Sequence, residues 1–183
     1  MKTNILSIAL LVAISIATSF TSFAQPMVGG AKMYPNKNII GNAVNSKDHT
    51  TLVAAVKAAG LDESLQGDGP FTVFAPTNEA VNKFPKGTVD KLLMAESKPM
   101  LSKILTYHVV AGSMTSDDIL KKIKTGNGTA TLSTVSGDKL MAMMSEKTIM
   151  LKDEKGNTST ITISNVMQSN GVIHVIDTVM MPK

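Results

Sequence analysis

The stretch Phe71-Thr72-Val73-Phe74-Ala75-Pro76-Thr77-Asn78-Glu79-Ala80-Val81-Asn82-Lys83-Phe84 leaves the fewest choices open. Phe71 to Phe74 are aromatic or β-branched, residue types that fit a pleated sheet surface. Pro76 has no N–H for a ladder bond, so it ends the strand. Thr77 or Asn78 then accepts a bond from an orphan N–H and starts a helix. Val81 and Phe84 share one face of that helix, and Pro85 stops it. The segment is a buried strand running directly into a capped helix.

A second long motif, Asn170-Gly171-Val172-Ile173-His174-Val175-Ile176-Asp177, stands near the other end, with Tyr107-His108 between the two. Thr72 to Ala80 resembles the first signature of fasciclin-like domains, and Asn170 to Asp177 resembles the second. The resemblance covers roughly residues 40 to 182 and is to bacterial secreted single-domain members. It implies an α+β fold, a fasciclin-like wedge of two packed β-sheets with flanking helices. It also implies a secreted or surface module of cell adhesion and matrix interaction, non-enzymatic and without cofactors. The partner would be protein or polysaccharide at a cell surface or matrix.

The first residues read as an address. Lys2 precedes an apolar run from Ile5 to Ala17, and Ser22-Phe23-Ala24 places small residues where a signal peptidase needs them. The run is shorter than the ~20 residues of a membrane span. The expected organisation is a signal peptide over 1–24, a tether and lead-in over 25–38, and the domain over 39–183. Cleavage near Ala24 leaves 183 − 24 = 159 residues, the size of one domain. The mature chain is then secreted, extracellular or periplasmic, with no stable membrane insertion.

Composition narrows the function classes. Losing Lys2 takes the net charge from +4 to +3, and every cation in the chain is Lys. A nucleic-acid reader draws on guanidinium forks and aromatic stacking; this chain has neither Arg nor Trp, so nucleic acid is not expected as a partner. Its densest basic group, Lys121, Lys122 and Lys124, reads as a solvated helix face. Without cysteine there is no disulfide, thiol chemistry or Cys-based metal site, and stability must come from the core.

Along the mature chain, Gln25 to Ala31 reads as a flexible tether and Met33 to Ile40 as a lead-in packed across the domain. Asp48 or Thr50 caps a helix with Leu52, Val56 and Ala59 inward, ended by Gly60. Thr88, Ser97 and Ser116 start further helices, the second with Leu101, Ile104 and Leu105 inward. Tyr107 to Val110 reads as a strand. From Gly126 the pattern has period two: strands over 129–135, 139–144, 148–152, 159–165 and 172–179, joined by tight turns. Helices first and antiparallel hairpins later make the class α+β.

Candidate chemistry is sparse. There is no Gly-x-Ser-x-Gly elbow, no phosphate loop and no histidine pair at metal-ligand spacing. His49 reads as exposed at a helix start, whereas His108 and His174 lie in apolar runs and read as structural histidines bonded through both ring nitrogens. Of 13 methionines, Met141, Met143, Met144 and Met150 cluster. Thioethers are soft copper(I) ligands, but Met also fills irregular core space, and core packing is the expectation here. The sequons at Asn127 and Asn157 read as incidental.

The resemblance has three local departures. Asn78 stands where an acidic residue is usual, and Val81 where an aromatic is usual; the Met-rich strands would compensate for the missing ring. Asn165 and Val166 match the positions where integrin-binding animal relatives carry Asp and Ile, so that recognition lacks its carboxylate here. The candidate interaction residues are therefore Tyr107, His108, Asn165 and Val166, with Tyr107-His108 expected to be structural and His108 bonded to residues of the opening stretch. The alternative function is binding of a small apolar or glycan ligand between sheets and helices. A monomer is expected, with no metal and no cofactor.

Overall fold

The computed structural model describes residues 25–183, so the expected signal peptide over 1–24 lies outside the described residues. Gln25 to Ala31 is not a free tether. Strands β1 (Met27–Val28) and β2 (Ala31–Lys32) pair antiparallel, and the Gly29-Gly30 turn between them has positive φ at both residues. That is the backbone a tight hairpin demands and glycine supplies. Val28 and Met33 are buried with Ile39 against the sheet, so the lead-in is part of the fold.

Helix α1 (Ile39–Ala43) is capped by Asn38, and α2 (Thr50–Ala59) ends at Gly60 in the left-handed conformation, φ 71°. After α3 (Asp62–Gln66) comes the central strand β3 (Phe71–Pro76), followed by α4 (Asn78–Asn82), whose first turn is closed by Thr77 Oγ1 accepting from the Ala80 N–H at 3.1 Å. Helices α5 (Thr88–Leu92) and α6 (Lys98–Tyr107) lead to β4 (Val109–Ala111). Helix α7 (Ser116–Thr125) starts one residue earlier than expected, at a capping box between Thr115 and Asp118. The remaining strands are β5 (Thr129–Ser133), β6 (Lys139–Ser145), β7 (Thr148–Lys152), β8 (Thr158–Gln168) and β9 (Gly171–Ile176).

The class is α+β, and the two packed layers of the wedge belong to one hydrogen-bonded ribbon in the order β4-β3-β9-β8-β7-β6-β5. Strand β8 serves both layers: its start pairs with β7, and the rest pairs with β9 through two register shifts. Such bulges bend a strand. A single bridge, Val110 to Thr134, joins the far ends of the ribbon, so the sheet nearly closes on itself. Phe74, Tyr107, Ile119, Leu140, Leu151, Ile176 and Met180 fill the space inside.

The two signature motifs are neighbours. Strands β3 and β9 run parallel in register from Phe71–Gly171 to Pro76–Ile176. A Cβ at Gly171 would collide with the Phe71 carbonyl, so the close approach requires glycine. Outside the sheet, α2 and α6 pack together through Val56, Ala59, Leu101 and Leu105. These helices lie over the face of β3 and β9 that carries Val73, Ala75, Ile173 and Val175.

Candidate functional site

Tyr107 and His108 do not begin a strand. Helix α6 runs on through Tyr107, and His108 is its C-cap. Tyr107 and His108 follow Ile104 by three and four residues, so the helical stripe of Leu101, Ile104 and Leu105 continues into the pair. Both side chains are buried. The Tyr107 hydroxyl donates to the Lys139 carbonyl at 2.7 Å, and burial pushes its pKa up to about 12. The two rings meet edge to face, centroids 6.4 Å apart.

The His108 imidazole is satisfied on both sides. Nδ1 lies 2.7 Å from the Ile104 carbonyl, and Nε2 lies 3.0 Å from the Met180 N–H. A carbonyl only accepts and an N–H only donates, so this network assigns the proton to Nδ1 and the lone pair to Nε2. The ring is held neutral. Burial pulls its pKa down to about 4, against a smaller opposing effect of the Ile104 bond. The expectation that the ring bonds to the opening stretch is therefore wrong; only the His108 backbone carbonyl reaches that stretch, accepting from the Phe74 N–H at 2.9 Å.

His174 repeats the arrangement on β9. Nε2 donates to the Met114 carbonyl (2.9 Å), Nδ1 faces the Asn165 N–H (3.4 Å), and the ring stacks on Phe74. Burial lowers its pKa. His49, expected at the surface, is 3% exposed. The 3₁₀ turn Lys47–His49 before α2 tucks the ring inward, where Nδ1 meets Ser46 Oγ at 2.9 Å. Burial lowers its pKa and the Ala75 backbone raises it slightly, yet no partner lies within hydrogen-bond geometry of Nε2.

That ring borders an apolar cavity of about 50 Å³ between the lead-in, α2 and the sheet, lined by Met33, Leu52, Val73, His108 and Val166 among others. A second cavity, of about 60 Å³, lies on the other side of Leu52, Leu105 and His108, among α2, α4, α5 and α6. Val81 lines it. The ring absent at Val81 is thus matched by a void and is not compensated by the methionine strands, which lie elsewhere.

Asn165 and Val166 do not form an exposed pair. Val166 is 1% exposed and sits in the cluster beneath the lead-in. Asn165 occupies a β8 register shift with φ 58°, a conformation Asn tolerates better than most residues. Its Oδ1 accepts from the Ser116 N–H at 2.7 Å and its Nδ2 donates to Ser116 Oγ at 2.8 Å, which ties β8 to the start of α7. Val166 and His108 border the same cavity, whereas Asn165 connects to His174.

Asn78, a candidate cap for its own helix in the sequence, and Asn170, the first residue of the second motif, are structural hubs; the cap of α4 is Thr77. Asn78 Oδ1 accepts from the Thr51 N–H at 3.0 Å, and its Nδ2 donates to the Lys47 carbonyl and Thr50 Oγ1. It caps α2 from another element, in place of Asp48 or Thr50. Asn170 Oδ1 accepts from the Ile39 N–H, while Nδ2 donates to the carbonyls of Leu65 and Gly67.

The methionine cluster is not in the core. Met141, Met143 and Met150 are half-buried on the outer face of β6 and β7, whereas Leu140, Ala142, Ile149 and Leu151 point inward. Met180, by contrast, fills the interior. Among the described residues, no group of three or more His, Cys, Asp or Glu could hold a metal ion, and no helix is long and apolar enough to cross a membrane.

Fold and site together define an α+β module in which Thr72 of the first motif and Asn170 and His174 of the second are buried. The fasciclin domain family model matches residues 47–182. The chain is similar to the protein sll1483 of Synechocystis, 40% identical over 171 residues, covering 92% of this chain and 87% of that one. It is also similar to the transforming growth factor-beta-induced protein ig-h3 of Sus scrofa, 38% identical over 132 residues, or 72% of this chain but 17% of that protein. Among solved structures, a FAS1 domain pair from the insect cell adhesion molecule fasciclin I shares the fold: TM-score 0.68 at 20% identity, covering 78% of this chain and 50% of that one. The chain belongs to the fasciclin domain family.

Proposed function

We propose that the protein is a secreted or surface-displayed, non-enzymatic adhesion and interaction module that recognises protein or polysaccharide at a cell surface or matrix. One observation carries the reading. His108 and His174 spend both ring nitrogens on interior bonds, and His49 is buried against an apolar wall, so no imidazole is poised as a general base at a solvent cleft. Family membership, and the name of the adhesion molecule that shares the fold, support the adhesive part. The N-terminal sequence supports export. Recognition would then use the outer surface, with the Tyr107-His108 pair holding the fold beneath it, and a monomer would gain avidity through display.

An apolar ligand enclosed between the sheets and the helices has little room. The two cavities, about 50 and 60 Å³, are smaller than the ~150 Å³ that admits benzene into an apolar cavity. The larger hollows, of about 230 Å³ beside α7 and β6 and about 680 Å³ beside α2, α4 and α5, are open to the surface. The test is to immobilise residues 25–183 and pass over them solubilised surface fraction and purified polysaccharide from the source organism. Saturable retention of a surface component, without turnover, is expected. A small apolar molecule co-purifying with the protein, and no retention of surface material, would favour the alternative.

A further inference from the structure

We propose that Met141, Met143 and Met150 form a binding site for copper(I), or for its redox-inert analogue silver(I), on the outer face of β6 and β7. The strand register brings the three together. Met143 is paired directly with Met150 across the antiparallel ladder, and Met141 lies two residues along on the same face. Directly opposed residues have Cβ atoms about 4.5–5.5 Å apart and diagonal ones about 7–8 Å. Each Met side chain has three rotatable bonds, enough for the three sulfurs to converge on one ion from those positions. All three are half-buried, and none belongs to the hydrophobic clusters of the described residues, so their conformations are not fixed by core packing.

The surroundings set the selectivity. In register beside the thioethers stand Thr129 and Thr131 on β5, Thr160 on β8 and Lys152 on β7. The cross-strand neighbours contribute no carboxylate and no imidazole. Three neutral soft donors suit a monovalent soft cation and give nothing to Zn(II), Mg(II) or Ca(II). Lys152 is paired with Met141, and its ammonium opposes a bound cation, so Lys152→Gln should tighten binding. Met144, exposed and turned to the opposite face beside Leu120 and Ile149, is outside the site and serves as the internal control.

The experiment is an anaerobic titration of residues 25–183 with copper(I) against a chromogenic copper(I) chelator, paired with silver(I) titration of protein labelled at the methionine methyls. One copper(I) per chain is expected, with three methyl resonances shifting together and no response to Zn(II). Met143→Leu/Met150→Leu should keep its melting temperature, because Leu and Met are close in volume. It should lose at least the about 10–100-fold in affinity that even the loss of an outer-shell partner costs a metal site. Met144→Leu should bind like the parent. Failure to compete with the chelator, unchanged binding in the double variant, or equal shifts at every exposed methionine would overturn the assignment.

Discussion

Acidification should destabilise this protein before its carboxylates are protonated. His108 has a folded pKa of about 4 against 6.5 for an unburied histidine. Between those values the unfolded chain binds the extra proton and the folded chain does not, so stability falls as pH falls through that window. The contribution is complete above 6.5 and gone near 4. The span is about 2.5 pH units, and at ~1.4 kcal/mol per unit His108 alone removes about 3 kcal/mol. The geometry explains the direction: a proton on Nε2 would face the Met180 N–H, donor against donor. His174 would place its second proton against the Asn165 N–H, and it and His49 also have lowered pKa values, so both push the same way. Against a total stability of about 5–15 kcal/mol the His108 share alone is a sizeable fraction.

Carboxylates act lower. Burial raises the Asp177 pKa, but bonds from the Thr160 N–H and the Ser159 and Thr178 hydroxyls outweigh it and leave a net decrease. Its stabilisation is present above its unfolded value and lost only below the histidine window. Urea unfolding from about pH 7.5 to about pH 4.5 should therefore show midpoints falling steeply below pH 6.5, with a shallower slope for His108→Gln. A flat profile across that window, or a His108 ring that titrates near 6.5 in the folded protein by NMR, would refute the reasoning.

Val81→Phe should stabilise the fold, since filling a void of about 60 Å³ at about 24 cal/mol per Å³ returns about 1.4 kcal/mol; a lower melting temperature would mean the ring does not fit among α2, α4, α5 and α6. Asn78→Ala should cost about 1–2 kcal/mol, because α2 loses its cap and the Thr51 N–H its partner; denaturant midpoints check it. Asn170→Ala should cost about 1–3 kcal/mol by leaving the Ile39 N–H and the Leu65 carbonyl unpaired, and hydrogen exchange at Ile39 should quicken.

Much of this fold is legible residue by residue. Pro76, Thr77 and Pro85 punctuate the first motif because their constraints are local, and the stretches after Gly126 become strands because β5, β6 and β7 bury one face and β9 buries both. What escaped depends on partners distant in sequence. The polar chain neighbours of His49 predict exposure, but the elements that cover it, β1, α1 and β3, come from either side in sequence. Asn78 gave no hint that it caps a helix that starts 28 residues earlier, with Thr50. The apolar run of Val109 and Val110 draws Tyr107-His108 into a strand, although the spacing of the pair from Ile104 fits the helix equally well. Residue type points the methionines to the core and strand alternation separates Met144 from Met141 and Met143; only the register of β6 with β7 places Met150 beside Met143 on the outer face.

The central claim is that the Tyr107-His108 pair sustains the fold and that partners are met elsewhere. It is tested most directly by His108→Ala, measuring in one preparation the melting curve and the binding to the retained surface component per folded molecule. The Ile104 carbonyl and the Met180 N–H would lose their partner, at about 1–3 kcal/mol, and the apolar cavities on either side of the ring would join. The account predicts earlier melting with unchanged binding per folded molecule. An unchanged melting temperature with binding abolished would contradict it and make the pair a recognition site.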